Sequence, residues 1–365
     1  RRLLENGANS SFINQYLSNE IPLTDLSFNP AAKIQEQLDQ KNLSNLPLPC
    51  EIYLPRQNSN GLDFSEPEFI NSIAKNLEVF KKDRIKALSI TSLELGSTHK
   101  SDILSLCDES NIGMVHWSDP DSIHHSSFQI STEWMNTSFD HRAAVLNDVA
   151  NSLESQSWQF IYLLMHEAGK TIQDAHDEIR EAVDFLRYYA NRSALFNSQS
   201  TQSGPTGEDN ILEYCPKGLV ACISPWNFPL AITLGQIAAA LVTGNTVIAK
   251  ASEETSLTAF KAATLFFNHG LPKDALHLLL GDGRVGQAII TSQALDLVVF
   301  TGSLKTAKSI HNSLSNKPGK IVPLIAETGG LNSMVVDSSA LIERACDDIM
   351  RSAFNSAGQR CSALR

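Results

Sequence analysis

The stretch LVACISPWNFPLAITLGQIAAALVTGNTVIAK, residues 219–250, decides the fold. Residues 219–224 are a short apolar run, Ser224-Pro225-Trp226-Asn227-Phe228-Pro229 is a turn bracketed by prolines, and residues 229–243 have helical length and stop at Gly244. A second apolar run follows at 246–250. Strand, turn, helix and strand make a βαβ unit, whose crossover sets two strands parallel. The punctuation continues with apolar runs at 275–280 and 297–301 and a helix at 255–268 ending before Gly270. The expected class is α/β, a doubly wound parallel sheet of Rossmann type that takes ligands at the carboxyl ends of its strands.

Upstream, residues 142–196 repeat apolar positions at three and four through two expected helices, punctuated by Gly169-Lys170-Thr171, the second at 173–189. Residues 69–82 read as a one-sided helix, 87–134 as a mixed pattern with a loop at 119–125, and 21–68 as a linker rich in Asn, Pro, Gln and Ser with a helix at 30–40.

A chain of 365 residues with 42% hydrophobic content buries a full core and is expected to form more than one domain. Its 29 basic and 40 acidic residues give a charge of −11, which opposes nucleic acid or an anionic membrane as partner. The apolar stretches are too short to span a bilayer. Six cysteines lack CxxC spacing, so a reducing compartment, the cytoplasm, is expected. No metal is expected, because His166-Glu167 has Lys170 where a zincin needs histidine and His124-His125 has no flanking ligand set. With no initiator methionine or signal sequence before Arg1-Arg2-Leu3-Leu4, the start reads as a cut inside a larger protein.

One cysteine has the surroundings of a nucleophile. In Gly358-Gln359-Arg360-Cys361-Ser362 a guanidinium and a glycine turn flank the thiol, the setting that favours thiolate. Ala326-Glu327-Thr328-Gly329-Gly330 supplies a carboxylate upstream, and Asn227 an amide earlier still. An Asn in a proline-bracketed turn, a Glu before paired glycines and a Cys after Gly-Gln-Arg, with Lys250-Ala251-Ser252-Glu253 and Phe300-Thr301-Gly302-Ser303 between, resemble the aldehyde dehydrogenase superfamily from about residue 142 to the end. The resemblance implies that Cys361 adds to an aldehyde carbon, the thiohemiacetal passes a hydride to NAD, and the thioester is hydrolysed. Asn227 and the Cys361 backbone N–H are then the oxyanion donors, and Glu327 the general base, with burial expected to tune it.

The resemblance also places the cofactor. Lys250 and Glu253 are implied to hold the adenosine ribose, the carboxylate repelling a 2′-phosphate and so favouring NAD. Gly302 and Ser303 open a helix where a phosphate can sit, and Ile223, Ser224, Pro225 and Trp226 line the other wall. Gly281-Asp282-Gly283-Arg284-Val285-Gly286 fits G-x-G-x-x-G after a late strand, leaving Gly283 and its neighbours either tight-turn residues or phosphate neighbours.

The string Gly-Gln-Arg-Cys-Ser-Ala-Leu-Arg resembles the pyrroline-5-carboxylate dehydrogenase branch in the form found in bifunctional proline utilization A proteins. That implies substrate contacts from Arg360 and Ser362, with Phe228 as a wall; Glu178 and Glu181 read as a solvated helix face, with contact to a substrate ammonium as the alternative. The opening Arg-Arg-Leu-Leu-Glu-Asn-Gly-Ala-Asn-Ser-Ser-Phe resembles the last helix of the proline dehydrogenase barrel in the same proteins, where Arg1 and Arg2 would hold a proline carboxylate. The expected layout is therefore the end of a proline dehydrogenase domain at 1–20, a linker at 21–68, helices, strands and an NAD-binding domain at 69–325, and the start of a catalytic domain at 326–365. FAD is implied for the parent's proline dehydrogenase part, and a homo-oligomer for its full length. Two alternatives stay open: an aldehyde dehydrogenase for another polar aldehyde such as succinate semialdehyde, or a silent dinucleotide-binding scaffold.

Overall fold

The computed structural model describes residues 29–39, 47–196 and 200–365. Arg1 and Arg2 lie outside the described residues. The chain divides into two compact units, 1–52 and 53–365. Within the first, α1 (Pro30–Asp39) starts on proline, and Asn29 Oδ1 accepts from the Ala31 N–H at 3.0 Å.

The second unit opens with α2 (Pro67–Glu78), then a three-stranded sheet of β1 (Ile85–Ala87), β2 (Ser97–Leu104) and β3 (Asn111–Ser118) in the order β1-β3-β2. Strand β2 is almost wholly exposed, which explains why its sequence carries no strand periodicity. The loop expected at 119–125 is instead a helix, α3 (Pro120–His125), since Pro120 begins it and the Asp119 side chain accepts from the Asp121 and Ser122 N–H groups. A single turn, α4 (Thr132–Met135), buries Trp134, whose Nε1–H donates to Leu241 O at 2.9 Å.

Three helices, where two were expected, then form a layer: α5 (Phe139–Ser155), α6 (Ser157–Ala168) and α7 (Ile172–Ser193). Gln156 leaves the helix (φ −100, ψ 16) between the first two, with no Gly or Pro to signal the break. The second break is at the expected place. Gly169 closes α6 in the left-handed region (φ 66), Lys170 N–H returns to Leu164 O, and the Thr171 side chain caps α7 on Asp174 N–H.

After a hairpin of β4 (Ser200–Gln202) and β5 (Asn210–Leu212), the βαβ units follow: β6 (Leu219–Ile223), α8 (Ala231–Val242), β7 (Thr246–Lys250), α9 (Ser256–Asn268), β8 (Leu276–Leu278), α10 (Gly283–Ser292), β9 (Leu297–Gly302), α11 (Leu304–Ser315) and β10 (Leu324–Thr328). The chain ends with α12 (Ile342–Phe354) and a tight turn at Asn355–Gly358. The five strands are parallel in the order β10-β9-β6-β7-β8. Their continuous apolar character has a direct cause: Val220, Cys222, Val247 and Ala249 join one core, while Leu219, Ala221, Ile248 and Val298 join a second on the opposite face. The order reverses between β6 and β9, and a crevice opens where two strands lead away in opposite directions.

Neither α8 nor α9 has a side-chain cap from its own N-terminal residue. Two glutamates of the helical layer replace it. Glu178 Oε1 accepts from the N–H groups of Leu230 (2.8 Å) and Ala231 (3.2 Å). Glu167 accepts from Leu257 N–H (2.7 Å), Thr258 N–H (2.8 Å) and the Thr258 hydroxyl (2.6 Å). Both carboxylates are buried, so each satisfies donors that water cannot reach.

Burial raises Glu167 from 4.5 to about 7, against the pull of its three hydrogen bonds. The folded chain therefore holds a proton there at pH values where the unfolded chain has released it. The contribution of this group to stability is greatest below pH 4.5 and declines as the pH rises to about 7. Denaturant midpoints measured between these limits should show that slope in the native sequence and lose it in Glu167→Gln.

Candidate active site and cofactor cleft

The crevice at the strand-order reversal encloses about 330 Å³ and is lined by Ile223, Ser224, Pro225, Trp226, Lys250, Gly283, Gly302 and Ser303 among others. Eight of the nine residues expected to hold the cofactor thus share one cleft. Strand β6 delivers the first of them at its carboxyl end, β7 delivers Lys250, and β9 delivers Gly302. The Ser224 hydroxyl is fixed 2.6 Å from Thr233 Oγ1, tying the turn to α8. The ninth residue, Glu253, lines a separate cavity of about 320 Å³ with Gly281, Asp282 and Trp117, and is joined to the cleft through its Oε2, which receives the buried Lys250 ammonium at 3.1 Å. The Ser303 side chain caps α11 on Thr306 N–H (3.1 Å).

The glycine string divides between packing and open space, and none of its glycines has a positive φ. A Cβ at Gly281 would stand 2.3 Å from Val285 Cγ2, so that glycine is required by packing, whereas Cβ atoms at Gly283 and Gly286 would meet nothing within 4 Å. Both of these line the cleft and leave it open to an approaching phosphate. A dinucleotide fits these residues: an ammonium and a carboxylate for ribose hydroxyls, a helix start for phosphate, and an apolar wall from Ile223, Pro225 and Trp226.

Cys361 lies on the wall between two further cavities. The larger, about 690 Å³, also contains Glu327, Gln236 and Thr301, and Thr301 borders the cofactor cleft as well. The smaller, about 310 Å³, contains Phe228, Arg360 and Ser362 with Lys170, Asp174, Asp177, Glu178 and Glu181. The fold therefore brings Cys361, Glu327 and the expected substrate residues to one continuous region beside the cofactor cleft. Cys222 offers a contrast, since burial pushes its thiol up to about 12 and leaves it as core.

The thiol stands on a constrained loop. Ser356, Ala357 and Gly358 are all left-handed, with φ of 54, 54 and 67. Only the last is glycine, and a Cβ there would stand 2.8 Å from Ala353 O. Such backbone persists where surrounding contacts fix it. Asn227 Nδ2 donates to Gln359 O (2.8 Å), Asn332 Nδ2 to Cys361 O (2.6 Å) and Ala363 O (3.0 Å), and Arg360 to Arg351 O (3.1 Å) and Ser352 O (2.5 Å). Arg360 is thus a brace of the loop as well as a wall of the cavity.

Two expectations change. Glu327 is exposed on β10, not buried. Glu178 is not on a solvated face but 1% exposed, with Lys170 Nζ 2.9 Å from its Oε2. Burial raises its pKa, and the Lys170 charge and the two backbone donors oppose that rise. Glu181, at the mouth shared by both cavities, is raised by desolvation and by the Glu178 charge. Sequence reasoning missed Asn332, Lys170, Glu167 and the capping role of Glu178. Their partners are backbone groups or lie on distant elements, and only the Gly169-Lys170-Thr171 turn hinted at any of them. His166, set aside as a ligand, has its Nδ1 2.7 Å from Ser105 Oγ.

The family model for the aldehyde dehydrogenase family matches residues 107–365, and the chain belongs to that family. It is 39% identical over 381 residues to the bifunctional protein PutA of Escherichia coli K12, covering 100% of this chain and 28% of that protein. It is 37% identical over 235 residues to 1-pyrroline-5-carboxylate dehydrogenase 2 of Bacillus subtilis, covering 63% of this chain and 46% of the relative. A solved 1-pyrroline-5-carboxylate dehydrogenase from Thermus with bound NAD superposes with a TM-score of 0.78 at 25% identity, over 88% of this chain and 63% of that one. The chain thus spans under a third of the length of the PutA relative and under half of the Bacillus enzyme. Among the described residues, no helix is long and apolar enough to cross a membrane.

Because a side chain at position 283 meets only the cleft, Gly283→Val should leave the thermal unfolding midpoint within a degree or two of the native value. It should weaken NAD binding about tenfold or more, the cost of filling a site that backbone must approach closely. Isothermal titration alongside a thermal melt checks both halves.

Proposed function

We propose that the protein carrying this chain oxidises L-glutamate γ-semialdehyde, the open form of pyrroline-5-carboxylate, to L-glutamate with NAD, as the second step of proline breakdown. The observation that carries this reading is the cavity beside Cys361. Arg360 and Ser362 offer donors to a carboxylate, Asp174, Asp177 and Glu181 offer charge to an ammonium, and Phe228 offers an apolar face between them. A substrate with an aldehyde, a carboxylate and an ammonium suits that set. Succinate semialdehyde has no group for the acidic wall, so the pattern favours the amino acid. The names of the PutA and pyrroline-5-carboxylate dehydrogenase relatives support the same choice.

In this reading Cys361 adds to the aldehyde carbon. Asn227 commits one amide hydrogen to Gln359 O, two residues before the thiol, and its second is the one to offer the developing oxyanion together with the Cys361 backbone N–H. Lys250, Glu253, Gly302, Ser303 and the Ile223–Trp226 wall would hold NAD, which when bound would supply the acceptor for the hydride of the aldehyde carbon. Glu327, across the larger cavity, takes the proton of the water that hydrolyses the thioester.

The resemblance of residues 1–12 to a proline dehydrogenase helix, with Arg1 and Arg2 facing a proline carboxylate, supports a bifunctional parent that also holds FAD. A homo-oligomer in the cytoplasm, with small molecules and not nucleic acid as partners of this segment, completes the proposal.

The test is NADH production by the complete protein with L-glutamate γ-semialdehyde and with succinate semialdehyde. Preference for the first, abolished by Cys361→Ala and reduced about 10²- to 10³-fold in kcat by Asn227→Ala, is the expected outcome. Preference for succinate semialdehyde would overturn the substrate, and turnover of neither would favour a silent scaffold.

A further inference from the structure

Lys170 and Glu178 form a buried pair that the reaction as described does not use. The Lys170 side chain is 6% exposed and that of Glu178 fully buried. Each makes a second contact toward the catalytic turn. Glu178 Oε1 takes the N–H groups of Leu230 and Ala231, which start the helix immediately after Asn227-Phe228-Pro229. Lys170 Nζ lies 4.3 Å from the centre of the Phe228 ring. Its position is set by Gly169 and Thr171, which end one helix and begin the next around it. Glu178 Oε2 has no hydrogen-bond donor aligned on it and is met by the ammonium alone among the described residues.

From these contacts we propose that Lys170 and Glu178 are positioning residues for aldehyde oxidation, holding the 227–231 segment so that Asn227 keeps its amide on the Cys361 loop and Phe228 its place in the substrate cavity. The proposal rests on the reading of Cys361 and Asn227 given above. The chain of contacts is short: Glu178 to the Leu230 N–H, three residues along to Asn227, and from Asn227 Nδ2 to Gln359 O, two residues before the thiol. The ionised carboxylate accepts both N–H groups and the ammonium at once. A protonated one turns an acceptor into a donor beside Lys170, and the arrangement loosens.

The pH dependence has a defined sign. The groups facing Glu178 are Lys170, then Asp174, Asp177 and Glu181 on its own helix, and Arg360 and Cys361 across the cavity. Lys170 lowers the Glu178 pKa against the upward push of burial, so removing the ammonium lets it rise. Positioning should then fail at a higher pH than in the native enzyme.

The experiment compares Lys170→Met and Glu178→Gln with the native sequence in the complete protein. It measures NAD affinity, kcat and KM across pH 6 to 9, and hydrogen exchange of peptides covering 223–232 and 355–362. For Lys170→Met, NAD affinity should stay within about twofold, kcat at neutral pH should fall about ten- to a hundredfold, as for a small misplacement of a reacting group, and the acidic limb of kcat should move to higher pH. Glu178→Gln, which keeps the shape and cannot titrate, should lower kcat without that moved limb. Exchange should rise in both peptides, with β7 and α9 unchanged. An unaltered kcat profile, or faster exchange confined to 223–232 with the Cys361 loop unaffected, would overturn the proposal. The exchange arm needs no substrate, so failure of the native protein to oxidise any aldehyde would count against the proposed function and still leave the coupling decided.

Discussion

The structure depends on one constraint: of the three helices that follow the site loops, α8 and α9 begin without caps of their own. A helix start leaves four backbone donors unpaired, and in a buried position each unpaired donor costs on the order of 1–3 kcal/mol. Both starts are supplied from outside the sheet, by Glu178 on α7 and Glu167 at the end of α6. The helical layer is therefore tied to the nucleotide-binding sheet at two defined points as well as packed against it. Burying a carboxylate is itself costly, which restricts the solution to places where several donors converge on it. Glu167 has three donors; Glu178 has two and a lysine.

Those ties sit at the catalytically useful ends. Every strand of the main sheet is parallel, so the loops that follow β6, β7 and β9 emerge on the same edge. The reversal of strand order between β6 and β9 opens the crevice there, and the β6 loop contributes to both of its neighbours: Ser224 to Trp226 face the cofactor cleft, Phe228 the substrate cavity. One short segment thus borders two cavities, with Phe228 nearer the start of α8 than Ser224 to Trp226.

The sheet was legible because its strands are apolar on both faces and its helices end on Gly244 and Gly270, whose φ of 84 at each site no other residue adopts at little cost. The site residues were legible because turn chemistry is local: proline around Asn227, paired glycines after Glu327, glycine before Cys361. What escaped reading acts across distance or without a signature. Strand β2 has no buried face to impose alternation, the Gln156 break carries no breaker residue, and the pairing of Glu178 with Leu230 spans 52 positions. Ser356 and Ala357 adopt left-handed backbone that their side chains disfavour, so only Gly358 announced the turn.

The two capping glutamates also divide the labour of the site. Glu167 holds the start of α9, three residues beyond the Glu253 that receives Lys250, and so acts on the Lys250 side of the cleft. Glu178 holds the start of α8, next to Asn227, and so acts on the side of the thiol. The two starts thus have separate anchors, one a carboxylate with three donors, the other a carboxylate paired with a lysine. Only the second carries a charge partner, and of the two anchors it alone lines a cavity that holds Cys361.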